Sequence, residues 1–253
     1  MKRRPLVSVV VATRNQGRFL RRCLRSLTSQ SLPREVYEII VIDDGSTDST
    51  RDVLCDYRDR VEAIHLKRHR GLAAACSAGL TRARGQFIVR VDSDDWLDLD
   101  ALSLELDAFN SRTAVDIFLP DYWEVSAGRS IRRRPNLRNV FSWVAAGPMM
   151  RLQAVTRAGG YRPFFWEEYD LYLRLLKAGA RPGRLPVPLV FYRRHSSSMT
   201  ADRKARMDGW RELLKVWPPE VLSMYGSHRE LSAITGEEDG SSHDQDRRHR
   251  GDR

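Results

Sequence analysis

The chain has 253 residues, of which 42% are hydrophobic, and its formal net charge is +10. This length and apolar content suit one large α/β domain or two closely packed halves, and they exclude a chain that is disordered throughout. No apolar run approaches the ~20 residues that a bilayer-spanning helix needs.

The first half of the chain alternates apolar strands with amphipathic helices. Strands are predicted at residues 6–13, 38–43, 61–66 and 86–91. Helices are predicted at 18–29 and at 71–84. Between them, a further helix is predicted to begin directly after the capping residue Ser46 or Thr47. Strands that are apolar throughout and separated by helices indicate a parallel sheet covered on both faces, and ligands of such sheets bind at the carboxyl ends of the strands.

The second half is less regular. A helix is predicted at 98–110, a strand at 115–119, and a polar hairpin or loop at 124–138. A further helix is predicted at 168–178. Three prolines then interrupt the chain before a short strand predicted at 189–192.

The three cysteines, Cys23, Cys55 and Cys76, are an odd number without the spacing of a metal site. Each of them falls in a predicted helix among apolar neighbours. We therefore expect three buried, reduced thiols, which favours a cytoplasmic protein.

The sharpest cluster of polar residues follows the fourth predicted strand. Asp92, Asp94 and Asp95 place three carboxylates within four residues, with Ser93 between them. Such acids repel one another, and a divalent cation compensates their charge. Oxygen ligands suit Mg²⁺ or Mn²⁺, which keep coordination positions for phosphate oxygens and would neutralise a departing diphosphate. The alternative interpretation is an acidic turn that leads into the next helix.

Polar residues also follow the first two strands. Thr13 and Asn15 come after the first strand, and Asp43, Asp44 and Ser46 come after the second. A carboxylate at this edge can accept hydrogen bonds from a base N–H or from ribose hydroxyls. The alternative is a turn into the next helix that Ser46 caps. Because all these residues fall at the carboxyl ends of strands, we predict a binding site there.

Taken together, these residues resemble the family-two glycosyltransferases of the GT-A fold. The matching segments follow the family's order, at 7–15, 41–48, 85–88, 92–95, 159–161, 167–174 and 192–195. The resemblance implies a Rossmann-like, mostly parallel sheet flanked by helices, with a smaller antiparallel part on the acceptor side.

The resemblance also implies a domain organisation. The glycosyltransferase domain would span 5–200, with a nucleotide-sugar-binding half at 5–97 and an acceptor half at 98–200. A C-terminal helical segment is expected at 201–234. Residues 235–253 are mainly polar and charged, which predicts a disordered tail.

The family assigns roles to the matching positions. The implied donor is a nucleotide sugar, with a UDP-sugar favoured, and the implied donor-binding residues are Thr13, Asn15, Asp43, Asp44, Asp92 and Ser93. Asp44 matches the carboxylate that meets the nucleotide base. Asp92 and Asp94 match the DxD motif, with Asp94 as the direct ligand of Mn²⁺ or Mg²⁺. His195 matches a histidine that approaches the metal or the diphosphate in some relatives.

The acid pair Glu167-Glu168 falls where the family carries Glu-Asp, whose second member is the catalytic base. The resemblance therefore places the base at Glu168, and a match that slips by one residue would place it at Glu167. It implies an inverting single displacement, in which the carboxylate takes a proton from the acceptor hydroxyl that attacks the anomeric carbon. The alternative is a pair of acids in the first turn of a helix, where the helix dipole favours them.

Two positions depart from the family's pattern. Glu168 replaces the usual Asp and adds one methylene, which keeps open a nucleotide-sugar-binding protein that has lost catalysis. Cys76 and Ser77 stand where relatives often carry Arg-Asn. This change removes a cation from the expected donor site, and Arg68 or Arg70 are the candidates to replace it.

The expected partners follow from these roles. The acceptor would be a glycan, a lipid-linked molecule or a small molecule, and the oligomeric state is left open. The net charge allows peripheral contact of a cytoplasmic protein with the inner face of the membrane. We expect no nucleic acid, because no recognisable module accompanies the basic runs. A nucleotidyltransferase, the remaining candidate, would need a Gly-rich basic loop after the first strand, which this sequence does not carry.

Overall fold

The structure, a computed structural model, describes residues 4–235. Its strands are β1 Val7–Thr13, β2 Tyr37–Asp43, β3 Glu62–His65, β4 Phe87–Asp92, β5 Trp96–Leu97, β6 Ile117–Ser126, β7 Arg129–Arg133, β8 Met149–Arg151 and β9 Pro182–Arg193. Its α-helices are α1 Gly17–Thr28, α2 Thr50–Asp56, α3 Leu72–Arg82, α4 Ala101–Ser111, α5 Leu152–Arg157, α6 Glu167–Lys177, α7 Arg203–Leu214, α8 Pro219–Leu222 and α9 Arg229–Thr235.

The nine strands of this described part form a single sheet. Their order is β3-β2-β1-β4-β8-β6-β9-β5, and β7 pairs with β6 beside this path. β1 pairs in parallel with both β2 and β4, and β2 pairs in parallel with β3. The prediction of a parallel sheet in the first half of the chain is confirmed.

Apolar side chains cover these parallel strands on both faces, since every residue of β1 and β2 is buried. On one face, Leu20, Leu24 and Leu27 of α1 form an apolar stripe with helical spacing. On the other face, α3 packs Ala73 and Cys76 against the sheet. Each fully buried leucine stabilises the fold by ~1.5–3 kcal/mol. The two layers hold the carboxyl ends of β1, β2 and β4 at one edge.

The second half supplies the antiparallel part of the sheet. β8 pairs antiparallel with β4 and β6, and β5 pairs antiparallel with β9, whereas β6 and β9 are parallel. The strand predicted at 115–119 is longer than expected, because β6 continues to Ser126 and forms a hairpin with β7. Ala127 and Gly128 make the turn with φ angles of 46° and 78°, as a two-residue hairpin requires.

The short strand predicted at 189–192 is wrong in extent, since β9 begins at Pro182. The prolines displace the register instead of ending the strand. Pro120 of β6 faces Leu185, but the next residue, Asp121, faces Pro188. Proline lacks the N–H that a strand donates, so it is tolerated at a strand start and at such an irregularity.

Two of the three cysteines are buried, and the third is not. Cys23 in α1 and Cys76 in α3 are buried, whereas Cys55 is exposed. In α2 the buried apolar residues are Val53 and Leu54. Cys55 therefore lies on the outer face of this helix, and the expectation of a third buried thiol is wrong.

The helices after residue 202 pack against α6. Trp210 of α7 is fully buried and stacks on Tyr169 of α6, with an angle of 12° between the rings. Its Nε1 donates to Oε2 of Glu230 in α9 at 3.0 Å. Between residues 4 and 235, no helix has the length and apolar character that crossing a bilayer demands. Apart from Thr235, the tail predicted at 235–253 lies outside the described residues.

Candidate active site

A pocket of about 770 Å³ lies at the carboxyl ends of β1, β2 and β4. Thr13 ends β1, Asp44 follows β2 and Asp92 ends β4. The first turn of α6 reaches the same pocket from the second half of the chain. The predicted site residues that line it are Thr13, Asp44, Asp92, Ser93, Asp94, Glu167 and Glu168.

Asn15 and Asp43, two predicted donor-binding residues, hold neighbouring loops together. The Asn15 N–H donates to Ser46 Oγ at 2.9 Å, and Asn15 Oδ1 accepts from the Thr47 N–H at 2.8 Å. Asp43 accepts from the Ser46 N–H and lies 2.9 Å from Nδ1 of His65. Burial acts to raise the pKa of Asp43, but the hydrogen bonds with Ser46 and His65 outweigh it and lower the pKa. A donor-binding role for this pair stays a prediction.

Asp44 lines the pocket but directs both oxygens to the turn before α3. Oδ1 accepts from the Arg70 N–H at 2.7 Å, and Oδ2 accepts from the Gly71 N–H at 2.9 Å. Nδ1 of His69 lies 2.7 Å from Oδ2. Asp44 therefore fixes both this turn and the ring of His69, which also lines the pocket. The sequence analysis missed His69, because a histidine in a polar run carries no signal of its own.

The acidic cluster after β4 concentrates negative charge, as its sequence pattern indicated. Oδ1 of Asp95 accepts from the Arg193 N–H at 2.7 Å. Its buried Oδ2 has no hydrogen-bond partner among the described residues. Burial, followed by the charges of Asp94 and Asp92, raises the pKa of Asp95 well above its usual value.

Asp94 and His195 are the residues of this cluster that fit a divalent cation. Oδ2 of Asp94 lies 2.9 Å from Nε2 of His195, and carboxylate oxygen and imidazole nitrogen are both ligands of Mn²⁺. Asp92, the third predicted ligand, instead accepts from Nε of Arg90 at 2.8 Å. Residues 4–235 contain no group of three or more acids, histidines or cysteines arranged to hold a metal. A cation would therefore complete its coordination with substrate and water, as Mg²⁺ usually does.

The two acids that begin α6 have different surroundings. Glu167 is 1% exposed, and its Oε1 accepts from Nη1 of Arg90 at 2.7 Å. The buried Oε2 of Glu168 meets no hydrogen-bond partner in the described part of the chain. Burial and then the charge of Glu167 raise the pKa of Glu168 to about 8, against the opposing charge of Arg90. Glu168 is thus the acid that can exchange a proton near neutral pH, and a favourable helix dipole alone does not explain why Glu167 and the Oε2 atom of Glu168 are buried.

The cation beside Cys76 is Arg90, and not Arg68 or Arg70. Both of those arginines are exposed. Burial raises the pKa of the Cys76 thiol to about 12, and the Arg90 guanidinium is the strongest charge that opposes this rise. The arginine inside the apolar run 86–91 was the sequence signal for this residue, and the sequence analysis did not use it.

Comparison with known proteins identifies the family of this chain. The family model described as glycosyl transferase family 2 matches residues 8–166, which is more than half of the chain. The chain belongs to glycosyl transferase family 2. Among curated relatives of this family 2 chain, the chondroitin synthase of Escherichia coli is 30% identical over 202 residues, which cover 71% of this chain and 28% of the synthase. The chain spans less than half the length of the curated relatives it matches.

Solved structures confirm the predicted GT-A fold of this family 2 chain. S. aureus TarS 1-349 in complex with UDP-GlcNAc superposes with a TM-score of 0.68 at 20% identity, over 82% of this chain and 66% of TarS. The mannosyltransferase PcManGT from Pyrobaculum calidifontis, in complex with GDP-Man and Mn²⁺, has a TM-score of 0.68 at 17% identity. It covers 84% of this chain and 65% of the mannosyltransferase. At these identities the likeness concerns the fold alone.

The family 2 pocket also has an aromatic lining that the sequence analysis did not foresee. Its members come from the second half of the chain and are Tyr122, Phe141, Trp143, Trp166, Tyr169 and Tyr192. The rings of Trp166 and Tyr169 flank the acid pair in sequence and lie 5.5 Å apart. Two aromatic residues directly beside two acids in the sequence were the signal from which this lining could have been predicted.

Proposed function

We propose that the chain transfers a sugar from a nucleotide-diphosphate donor to an acceptor hydroxyl, with inversion at the anomeric carbon and with the help of a divalent cation. One observation carries the proposal. A single pocket combines the acidic strand end at Asp92 and Asp94 with the carboxyl of Glu168, whose buried Oε2 has no partner within residues 4–235. The acidic strand end can hold a cation that neutralises the leaving diphosphate, and the carboxylate of Glu168 can accept a proton.

In the proposed reaction, the carboxylate of Glu168 accepts the proton of the acceptor hydroxyl. The acceptor oxygen bonds to the anomeric carbon from the side opposite the leaving group, so the configuration inverts. The bond from that carbon to the diphosphate oxygen breaks, and the nucleoside diphosphate leaves with the electron pair. Mn²⁺ or Mg²⁺ held by Asp94 and His195 would supply positive charge to the diphosphate. We assign Asp44 and His69 to the nucleoside, because they share the pocket and fix each other.

A UDP-sugar is our first choice of donor. Two structures of the same fold support the donor class, since TarS holds UDP-GlcNAc and PcManGT holds GDP-Man and Mn²⁺. For the acceptor we propose a glycan, a lipid-linked molecule or a small molecule. We also propose a cytoplasmic location, and the net charge of +10 supports peripheral contact with the anionic inner face of a membrane.

A donor screen tests the proposal. The full chain is incubated with Mn²⁺ and a panel of nucleotide sugars that includes UDP-GlcNAc and GDP-Man, while thermal shift and release of nucleoside diphosphate are measured. We expect at least one donor to raise Tm and to be consumed, and consumption to stop when EDTA is added. Binding without consumption, with every acceptor class tried, would instead favour a nucleotide-sugar-binding protein. No thermal shift with any donor would contradict the proposal.

A further inference from the structure

Arg90 occupies a strand position that the fold alone does not explain. Side chains alternate along a strand, so Arg90 shares a face of β4 with Ile88, which belongs to the apolar core. Its direct neighbour in β1 is Val10, also a core residue. The Arg90 side chain is 3% exposed. Burying a charged group in such surroundings costs desolvation free energy, and a protein with an apolar residue of similar volume at that position is often as stable or more stable.

The contacts of Arg90 join two parts of the pocket that are distant in sequence. Its Nε donates to Oδ1 of Asp92, at the end of the same strand, over 2.8 Å. Its Nη1 donates to Oε1 of Glu167, in the first turn of α6, over 2.7 Å. Because the guanidinium is planar and rigid, two such bonds fix an angle as well as a distance. One side chain thus ties the strand end to the start of α6.

The contact between Arg90 and Glu167 also affects Glu168, the next residue of α6. The charge of Glu167 is matched by Arg90, whereas no donor in the described part of the chain reaches Oε2 of Glu168. Glu167 and Glu168 are successive residues of one helical turn, so whatever fixes Glu167 also fixes the backbone that carries Glu168. Arg90 therefore fixes the position of Glu168 through Glu167.

On the basis of the proposed function, we propose that Arg90 is a positioning residue of the transfer reaction. Its guanidinium holds Asp92 and Glu167 in one arrangement, which sets where the Glu168 carboxylate stands relative to the bound donor. A misplacement of about 1 Å at a reacting centre costs on the order of 10²-fold in rate. The contribution of Arg90 is thus expected in kcat, and the affinity of Arg90 variants for the donor is expected to stay close to that of the wild type.

Three variants test this role, each measured for Tm, donor KM and kcat with saturating acceptor. Arg90→Met removes the hydrogen bonds to Asp92 and Glu167, and Arg90→Lys keeps a charge that cannot bond both acids in the same geometry. The double variant Arg90→Met/Glu167→Met replaces the pair by apolar residues, which preserves the fold if Arg90→Met alone does not fold. We expect kcat to fall about 10²-fold in Arg90→Met and in the double variant, with donor KM within about threefold of wild type. Arg90→Lys should recover part of the loss.

Glu167→Gln separates Arg90 from Glu167 itself, since the amide oxygen still accepts from Arg90. Its kcat should fall less than that of Arg90→Met. A folded Arg90→Met or double variant with kcat near wild type would overturn the proposal. A raised donor KM at unchanged kcat, or a loss in Glu167→Gln as large as in the double variant, would also overturn it. Wild-type protein that consumes none of the donors contradicts the proposed function itself, which is a different result from an active wild type with an active Arg90→Met.

Discussion

Two groups of acids at the same edge of the sheet differ in how their carboxylates are satisfied. At the end of β2, Asp43 and Asp44 accept hydrogen bonds from the loops around them, and the bonds of Asp43 with Ser46 and His65 lower its pKa against its burial. After β4 and at the start of α6, Asp95 and Glu168 each bury an oxygen that finds no partner within residues 4–235. Burial and neighbouring acids raise the pKa of both.

This difference separates acids that build the pocket from acids that serve the reaction. A satisfied carboxylate holds a loop and gains stability from it. An unsatisfied buried carboxyl weakens the fold, and such groups concentrate where a protein handles protons or cations. We therefore expect substitutions in the β2 group to change donor binding, and substitutions in the other group to change turnover.

The largest expected effect is that of Glu168→Gln, which keeps the shape of the side chain but cannot accept the proton. Turnover should fall about 10²–10⁴-fold, the usual contribution of a general base, with donor affinity unchanged. Glu167→Gln is the matched control and should lose less, because Glu167 is already paired with Arg90. If the two variants exchange their phenotypes, Glu167 is the base. Equal, wild-type turnover in both would remove the acid pair from the mechanism.

The second expected effect concerns the cation. Asp94→Ala should lower turnover roughly 10²–10³-fold, because it removes a ligand of the charge that stabilises the leaving diphosphate. EDTA should reduce wild-type turnover in the same way, and added Mn²⁺ should restore it. Asp56→Ala, at an exposed surface pair with Arg21, is the control and should change nothing. Full wild-type activity in EDTA would show that no metal takes part.

The third effect belongs to the satisfied group. Asp44→Ala removes the acceptor for the turn 69–71, so donor binding should weaken by about 1–3 kcal/mol in calorimetry. Turnover at saturating donor should stay close to wild type. An unchanged donor affinity would place Asp44 outside the site, and a lost turnover at saturation would break the distinction between the two groups.

The smallest effect on transfer is expected at Glu105, an unsatisfied acid that does not line the pocket. Its Oε1 accepts from the Met149 N–H, its Oε2 is unpaired among the described residues, and burial raises its pKa well above the usual value. Because the pKa of Glu105 is higher in the folded state, the neutral carboxyl favours folding. This contribution to the free energy of unfolding is full below the unfolded-state pKa and is lost as pH rises through the folded-state pKa. Glu105→Gln should flatten that decline in urea unfolding between acidic and mildly alkaline pH. Reduced turnover in this variant would contradict the interpretation that Glu105 affects the stability of the fold and not the reaction in the pocket.

How far the sequence predicts this molecule depends on the range of the interactions. β1 and β2 were predicted at 6–13 and 38–43 and found at Val7–Thr13 and Tyr37–Asp43, because burial on both faces leaves an apolar run. β9 was predicted too short, because only its pairing with β6 shows that three prolines can lie along one strand. β5 and β8 have two and three residues, too few for a pattern.

The same reasoning applies to the pocket. The family resemblance placed Asp92, Asp94 and His195 in one metal site, and the side chains of Asp94 and His195 are in contact, whereas Asp92 is bonded to Arg90. The roles of Arg90 and His69 could not be read from the sequence, because each depends on a carboxylate that is distant along the chain. Long-range pairs of this kind become visible once the strands and helices are placed.

The pH dependence of kcat/KM for the acceptor tests the central claim most directly. With saturating donor, this quantity reports the pKa of the essential base in the enzyme form that binds the acceptor. Ionised Glu168 accepts a proton and neutral Glu168 does not. A pKa of about 8 therefore predicts that kcat/KM rises with pH and levels off above that value. A profile that stays flat between about pH 6 and about pH 9, or a Glu168→Gln variant that keeps the wild-type profile, would contradict a role of Glu168 as the base.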